Sequence, residues 1–268
     1  MIDYYARVAP VMLPHLADRP LTVIRFPNGV EGKHFFEKRC PPHRPEWVTT
    51  ASVWAGRRAG EIDFCVCQDL PTLVWLAQLA ALEMHPSLSR VGVVETPTVL
   101  AFDLDPGPPA TIVECCRVAL LLRELFADFD LRCFPKSSGS KGMQVYVPLN
   151  GDATYEVTKT YAQTVAQALE RSQPDLVVSR MTKSLRGGKV FVDWSQNTSS
   201  KTTVAAYSLR ARERPTASTP LSWDEVSDAL DEGDPDVLRF EAADVLERVD
   251  RHGDLFAGVL ELEQELPA

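Results

Sequence analysis

Residues 99–106, Val-Leu-Ala-Phe-Asp-Leu-Asp-Pro, form the stretch from which the rest of the chain can be interpreted. The leading apolar residues predict a buried strand, and the Pro-Gly-Pro-Pro run at 106–109 predicts a turn that ends it. Side chains at i and i+2 of a strand point to the same side, so Asp103 and Asp105 would share one face. Such carboxylates either bind a hard divalent cation for phosphoryl or nucleotidyl transfer, or remain two solvated surface acids. The stretch alone leaves both interpretations open.

The length and composition indicate a globular protein with a sizeable core. The 268 residues suit one large domain or two small ones, and 45% are hydrophobic against 24% charged. No apolar run approaches the roughly 20 residues that span a bilayer, and the N-terminus lacks the regions of a signal peptide. The spacings of the six cysteines match no zinc or redox framework. We therefore expect reduced, buried thiols in a cytoplasmic protein that has no membrane partner.

Charge is distributed unevenly along the chain, although the net charge is −9. Residues 224–268 carry 15 acids and 3 basic residues, whereas residues 180–214 carry eight basic residues and two acids. A basic cluster inside an acidic chain is a candidate anion-binding surface, such as one for nucleic acid. The alternative is a solvated charged loop, which is the commoner origin of charge runs.

Apolar patterns predict helices and strands without strict βαβ alternation, which favours an α+β fold. Asp69 is the expected N-cap of the first strongly apolar helix, and short helices are expected from Ser222 onward. The predicted strands are 21–26, 62–67, 99–106, 131–134, 143–148, 189–193 and 202–209, and the predicted helices are 3–17, 70–82, 110–126 and 155–171.

Two further segments could complete the chemistry suggested by the paired carboxylates. The loop at 137–142, Ser-Ser-Gly-Ser-Lys-Gly, could let backbone N–H groups approach phosphate oxygens while Lys141 adds a charge. Asp193 ends another predicted strand, and three strand-end carboxylates would suit the two cations of a polymerase or nuclease. Each segment also has a plain interpretation, as a hairpin turn and as an ordinary strand-end acid.

Aromatic and basic residues supply candidates for nucleic-acid binding. Phe35 and Phe36 lie beside several basic residues and could stack bases, with core packing as the alternative. Arg210 and Lys201 could bind the remaining oxygens of a triphosphate. His85 follows an apolar helix, and such a histidine is more often a helix-end residue than a ligand.

The segments together resemble the polymerase domain of bacterial ligase D, a branch of the archaeo-eukaryotic primase superfamily. This resemblance implies an α+β, archaeo-eukaryotic primase-like fold with mixed sheets and an RRM-like catalytic module flanked by helices. It implies a single primase-polymerase domain with an N-terminal module at about 1–95, a catalytic module at about 96–222 and an acidic helical tail at about 223–268. The strings that carry it are FPNGVEGKHFFEKRCPPHRPEWV (26–48), WLAQLAALEMHP (75–86), FDLDPG (102–107), SSGSKGMQVYVPL (137–149), MTKSLRGGKVFVDWSQN (181–197) and KTTVAAYSLRAR (201–212).

The resemblance also implies roles for individual residues in template-dependent addition of nucleotides, with ribonucleotides favoured, at DNA gaps or 3′ overhangs. Asp103, Asp105 and Asp193 match the catalytic ligands of two Mn²⁺ or Mg²⁺ ions. Phe35 and Phe36 match aromatic residues that meet template bases. The implied nucleotide-binding residues are His85, Ser138, Ser140, Lys141, Gln144, Lys183 and Arg210, and Arg186 is a further basic residue expected to bind DNA.

Two departures from the family pattern affect these expectations. The phosphate loop ends in Lys-Gly-Met-Gln where the family has Lys-Gly-Leu-His, and Gln144 can hydrogen-bond but cannot be protonated. The contact with ribose, or the rate, would change accordingly. The family's segment that binds the 5′-phosphate of a gap precedes an Asp-Tyr-Tyr string that starts here at residue 3. Lys33, Lys38 and Arg39 could rebuild that pocket and bind DNA.

The chain is too short to hold the family's ligase or nuclease modules as well, so we expect a stand-alone bacterial enzyme associated with the nucleoid. Its partners would be gapped or tailed DNA, NTPs or dNTPs, and a separate DNA ligase and Ku. The expected roles are the filling of short gaps in base excision repair, the synthesis of primers, and non-homologous end joining. Two other classes of function stay open. A glycosyltransferase would use D-x-D for a nucleotide-sugar's metal, and a DNA-end or gap-binding protein would carry a decayed polymerase site.

Overall fold

The structure is a computed structural model that describes residues 1–54 and 60–267. The chain divides into two compact units, and it passes between them several times. Whether the three contiguous modules expected from the sequence act as such stays a prediction. The first unit comprises Met1–Glu95, Ser199–Ser218 and Phe240–Asp254, and the second comprises Thr96–Thr198, Thr219–Arg239 and Leu255–Ala268.

The first unit is built on an antiparallel sheet. Its central strand β1 pairs with β5 over most of its length, with β4 at its start and with β2 at its end, while β3 pairs with β4. The elements are α1 (Ile2–Leu16), β1 (Pro20–Arg25), β2 (Phe35–Glu37), β3 (Thr50–Trp54), β4 (Glu61–Val66), α2 (Leu70–Gln78), β5 (Ala81–Pro86) and α6 (Ala242–His252).

Helix α1 closes the core of the first unit because one of its faces is apolar. Tyr5, Val8 and Met12 recur at helical spacing and are fully buried, and the helix packs on α2 and α6. The Tyr5 hydroxyl donates to the Leu82 carbonyl at 2.6 Å and accepts from the Leu209 N–H at 3.2 Å. Helix α1 therefore joins strand β5 to the returning segment 199–218.

The second unit is built on a mixed sheet with strand order β7-β8-β6-β10-β9. Only the β9–β10 pair is parallel among the described strands. The α+β fold with mixed sheets predicted from the sequence is confirmed. The elements are β6 (Val99–Pro106), α3 (Ile112–Ala127), β7 (Phe134–Ser137), β8 (Met143–Pro148), α4 (Tyr155–Ser172), β9 (Val177–Val178), β10 (Val190–Asp193), α5 (Trp223–Glu232) and α7 (Gly258–Glu261).

Strand β6 has one face in the core of the second unit and one face that carries acids. Phe102 and Leu104 are fully buried, and the Phe102 ring lies 5.7 Å from the ring of Phe126 on α3. A capping box fixes the start of α3, because Thr111 N–H donates to the Glu114 carboxylate and Val113 N–H donates to the Thr111 hydroxyl. The helix thus covers the apolar face, which leaves the alternate residues Asp103 and Asp105 on the other.

Several local predictions are confirmed and three are wrong. The strands at 99–106 and 143–148 and the Asp69 N-cap are as predicted. The strand predicted over 131–134 begins only at Phe134, because the Leu131 N–H donates to the Phe126 carbonyl in the turn after α3. The helix predicted over 70–82 ends at Gln78, because Ala80 has a positive φ and Ala81 starts β5 against β1. His85 accordingly lies on a strand. The strand predicted over 202–209 is irregular and forms only isolated bridges at its two ends.

The prediction that all six cysteines are reduced is also wrong. Cys40 and Cys65 form a disulfide, with their Cα atoms 4.8 Å apart. Strand β4 places Cys65 beside the loop that contains Cys40, and the Cys40 N–H donates to the Asp63 carbonyl at 2.7 Å. The remaining four are buried free thiols: Cys67, Cys115, Cys116 and Cys133.

Within the described ranges, no helix has both the length and the apolar character needed to cross a membrane.

Candidate active site

Four polar side chains form one row across the sheet of the second unit. In the strand register, Asp193 on β10 lies opposite Asp103 on β6, Asp103 lies opposite Gln144 on β8, and Gln144 lies opposite Lys136 on β7. Directly opposed residues of antiparallel strands project from the same face. Asp105 lies two residues beyond Asp103 on that face, so the three predicted metal ligands occupy one region of the sheet.

Amide and hydroxyl groups hold two of these carboxylates. Gln144 Nε2 donates to Asp103 Oδ1 at 3.0 Å, and Ser195 N–H donates to Asp193 Oδ1 at 2.9 Å. Gln196 Nε2 lies between the two acids, 3.1 Å from Asp193 Oδ2 and 3.5 Å from Asp103 Oδ2. The amide of Gln196 therefore bridges two carboxylates that would otherwise face each other directly.

The electrostatics of Asp103 are unfavourable to its charge. Burial raises the pKa of Asp103 to about 7, with the negative charges of Asp105 and Asp193 acting in the same direction. The hydrogen bond from Gln144 and the charge of Lys136 lower it, but they do not compensate. A carboxylate in this state is stabilised by any cation that approaches it.

The donor set suits a hard divalent cation in its chemistry, since such ions take oxygen ligands and one or two carboxylates from the protein. The side chains do not, however, form a complete metal-binding site. Across residues 1–54 and 60–267, no group of three or more His, Cys, Asp or Glu side chains is arranged to hold one ion. The amide of Gln196 lies between Asp103 and Asp193. Asp103 and Asp193, whose oxygens now accept from the amide of Gln196, would be the residues that hold such a cation.

The predicted phosphate loop is the connection of the β7–β8 hairpin. The Ser138 hydroxyl accepts hydrogen bonds from the N–H groups of Ser140 and Gly142, and Ser138 N–H donates to the Gly142 carbonyl at 2.9 Å. A Cβ at Gly142 would overlap the Leu104 carbonyl oxygen, so only glycine lets the loop lie against β6. Lys141 is exposed at the loop's tip. The loop is thus both a hairpin turn and an ordered ring of polar groups beside the acids.

The predicted basic residues of the second unit follow β9. Lys183 is exposed on a 3-10 turn at Lys183–Leu185, and Arg186 ends that turn. The Arg186 guanidinium stacks 3.7 Å from the centre of the Phe191 ring, and Phe191 lies opposite Asp105 in the register. Arg186 therefore lies on the same face of the sheet as the acids.

His85 and Arg210, both predicted to bind nucleotide, lie together in the first unit. They are joined by a buried acid, Glu83, which is 3.0 Å from His85 Nε2 and 3.4 Å from Arg210 Nε. Glu83 also accepts a hydrogen bond from the Ala211 N–H at 2.9 Å. Burial would raise the pKa of Glu83, but the hydrogen bond with His85 and the charge of Arg210 outweigh it and lower the pKa overall.

The predicted DNA-binding aromatics also lie in the first unit, on β2. Phe36 is 66% exposed and Phe35 is 43% exposed, so the alternative of core packing is wrong for both. Arg25 orders this strand, because it donates to both oxygens of Glu37 at 3.1 Å and stacks over the Phe35 ring. The adjacent basic residues are exposed: Lys33, Lys38 and Arg39.

Comparison with known proteins identifies the family. The family model described as LigD, primase-polymerase domain, matches residues 1–256. The chain belongs to the LigD primase-polymerase domain family. It is 42% identical over 259 residues to the multifunctional non-homologous end joining protein LigD of Mycolicibacterium smegmatis, covering 96% of this chain and 33% of that protein. The bifunctional non-homologous end joining protein LigD of Bacillus subtilis is 34% identical, with 85% of this chain and 36% of that protein covered.

A solved structure agrees with this assignment. The polymerase domain from Mycobacterium tuberculosis ligase D in complex with DNA superposes with a TM-score of 0.89 at 42% sequence identity, over 98% of this chain and 92% of that one. The chain spans about a third of the length of the curated LigD relatives that it matches. The LigD primase-polymerase family is one of nucleotidyltransferases, so the predicted family, fold and enzyme class are confirmed.

Sequence reasoning missed several residues that hold the candidate site residues within each unit. Gln196 bridges two acids, and Asn197 fixes the turn that carries it by exchanging hydrogen bonds with both backbone groups of Ala101. Lys136 is fully buried in the polar row, and Glu83 joins His85 to Arg210. The sequence signal that could have identified Lys136 and Glu83 was a charged residue within an apolar stretch. Gln196 and Asn197 offered no comparable signal.

Proposed function

We propose that this protein adds nucleotides to the 3′ end of DNA, directed by a template strand, at short gaps or overhangs during repair. Ribonucleotides are the favoured substrates, as the family resemblance implies. One observation carries the proposal: Asp103, Asp105 and Asp193 project from one face of a sheet, and their repulsion helps to raise the pKa of Asp103 to about 7. An excess of negative charge is suited to divalent cations that bind a substrate's phosphates.

The three carboxylates would hold two ions, Mn²⁺ or Mg²⁺. Bound there, the metal would lower the pKa of the attacking sugar hydroxyl and neutralise charge on the phosphoryl group. The protein's part is to keep the carboxylate oxygens in place. Gln144 holds Asp103 through the hydrogen bond at 3.0 Å, and Ser195 holds Asp193. The direct contact with ribose expected of Gln144 is part of the proposal.

The remaining site residues would bind the nucleotide and the DNA. For the triphosphate we assign the ordered hairpin loop with Ser138, Ser140 and Lys141, together with basic side chains. The exposed rings on β2 would stack template bases, since base stacking on aromatic side chains tolerates any sequence. The other residues of this proposal are His85, Lys183 and Arg210 for the nucleotide, and Lys33, Lys38, Arg39 and Arg186 for DNA.

The proposed biological role is repair of DNA ends and gaps, through non-homologous end joining or base excision repair. Support comes from the relatives, which are non-homologous end joining proteins, and from the neighbouring structure, which is a polymerase domain in complex with DNA. A DNA ligase and Ku would act with it, in the nucleoid-containing cytoplasm of a bacterium. A decayed site that only binds DNA, and a glycosyltransferase, are the alternatives to exclude.

The test is primer extension on a DNA duplex with a short gap. Wild type, Asp105→Asn and the control Asp152→Asn, an exposed acid of the same unit, are compared with rNTPs and dNTPs in Mn²⁺ and in Mg²⁺. We expect templated addition by wild type and the control, a preference for rNTPs, and a loss of at least about 100-fold in Asp105→Asn.

The other outcomes identify the alternatives. Binding of gapped DNA without any nucleotide addition would replace the polymerase proposal by the DNA-binding one. Transfer of sugar from a nucleotide sugar, with no affinity for DNA, would replace it by a glycosyltransferase. Equal use of dNTPs would overturn the sugar preference alone.

A further inference from the structure

The buried carboxylate of Glu83, which joins His85 to Arg210 in the first unit, has no part in the proposed function so far. Glu83 is only 5% exposed and lies on β5, two residues before His85. A buried carboxylate is destabilising unless several donors meet its charge. Here the His85 ring and the backbone N–H of Ala211 donate hydrogen bonds to it, and the Arg210 guanidinium supplies an opposite charge at 3.4 Å without a hydrogen bond. The fold thus supports a charged group at this position with donors from two separate segments.

The arrangement fixes how both neighbouring side chains are presented. Because the pKa of Glu83 is lowered, the carboxylate is ionised and can only accept, so His85 Nε2 must carry the proton that points to it. Arg210 approaches through Nε, and its two terminal nitrogens make no hydrogen bond with the residues that the structure describes. A guanidinium held at Nε keeps the rest of its planar fork available for another anion.

The backbone around Glu83 is held equally firmly. The Tyr5 hydroxyl links the carbonyl of Leu82 to the N–H of Leu209, and Met84 N–H donates to the Ser208 hydroxyl at 2.9 Å. The residues on either side of Glu83 are therefore joined to the residues just before Arg210. The backbone that carries Glu83 is thus tied to the backbone that carries Arg210.

We infer that Glu83 is a positioning residue for nucleotide binding, which holds His85 and Arg210 in the orientations that receive the sugar and the triphosphate. This inference rests on the proposed function. Glu83 itself does not contact the nucleotide. It acts through the two side chains that it orders, so its loss weakens nucleotide binding and leaves the chemical step largely intact.

The experiment compares wild type, Glu83→Gln and the control Glu46→Gln, an exposed glutamate of the same unit. Glutamine preserves the shape of the side chain and removes the charge. Gap-filling kinetics give KM for the nucleotide and kcat, equilibrium binding is measured by anisotropy with fluorescently labelled ATP in Mn²⁺, and thermal unfolding checks the fold. For Glu83→Gln we expect KM and the dissociation constant to rise about tenfold while kcat changes less than about threefold.

A double-mutant cycle separates positioning from a purely structural role. In an Arg210→Ala background, Glu83→Gln should raise the dissociation constant by no more than about threefold, because one of the two groups through which it acts is missing and only His85 remains. A full tenfold effect in that background, or unchanged binding in Glu83→Gln alone, would overturn the inference.

The same measurements separate this inference from the proposed function. Wild type that binds labelled ATP without extending primers would refute the polymerase activity and leave the cycle on binding valid. Wild type that does not bind the nucleotide at all would refute both.

Discussion

Replacing Asp103 by asparagine should stabilise the metal-free protein at neutral and alkaline pH. The substitution keeps the shape of the side chain and removes one of the acids on the polar face of β6. In the folded protein burial and the neighbouring acids raise the pKa of Asp103 from 3.8 to about 7. The folded state therefore binds a proton more tightly than the unfolded state does. Ionised Asp103 destabilises the fold, and this contribution is absent below pH 3.8 and fully present above about pH 7.

The magnitude follows from the displacement of the pKa. At 1.36 kcal/mol for each pH unit, the displacement corresponds to about 4 kcal/mol at pH 8 as an upper value. Asp103 is half-buried, so water screens part of this repulsion, and the substituted amide also repels the amide of Gln196. We therefore expect Asp103→Asn to gain about 1–2 kcal/mol at pH 8, which corresponds to a rise of roughly 2–6 °C in Tm.

The assay is thermal and denaturant unfolding in EDTA at pH 5 and pH 8, with Asp152→Asn as the exposed control. The advantage of Asp103→Asn over wild type should grow between the two pH values, whereas the control should show no such growth. Added Mn²⁺ should then stabilise wild type more than the variant, because the ion binds the folded state through this carboxylate. A variant less stable than wild type at pH 8, or a difference independent of pH, would refute the reasoning about like charges.

Three more outcomes can be checked. Phe36→Ala should leave Tm within about 1 °C, because the ring is 66% exposed, yet should weaken binding of gapped DNA by about 1–3 kcal/mol in anisotropy titrations; unchanged binding would exclude stacking. Gly142→Ala should reduce primer extension at least about tenfold, because a Cβ there would displace the loop from the Leu104 carbonyl, and activity equal to wild type would contradict that contact. Alkylation of the denatured protein should label four thiols before reduction and six after it, whereas six labels before reduction would exclude the Cys40–Cys65 disulfide.

Predictions from local sequence patterns were correct where the residues that determine an element lie in or next to that element. The apolar run before Asp103 and the Pro-Gly-Pro-Pro that follows it predicted β6 correctly. They failed where a distant partner decided the outcome. The helix predicted through residue 82 ends at Gln78 because the residues from Ala81 onward pair with β1 as strand β5. The disulfide was missed for the same reason, since its two cysteines are 25 residues apart.

The sequence by itself determined the family, through the strings that resemble the ligase D polymerase domain. It also determined the α+β class and the strand that carries Asp103 and Asp105, because period-2 alternation and turn residues are properties of neighbouring positions. Only the tertiary structure decided what surrounds those acids. Strand register placed Lys136 and Gln144 in the same row as Asp103, and the turn after β10 placed the amide of Gln196 between two carboxylates. Likewise, β5 and the returning segment brought Glu83 to Arg210. These contacts join residues that are far apart in the chain. They depend on how the strands pack and on the need of buried charges for hydrogen-bond partners, and the spacing of residues along the sequence reveals neither.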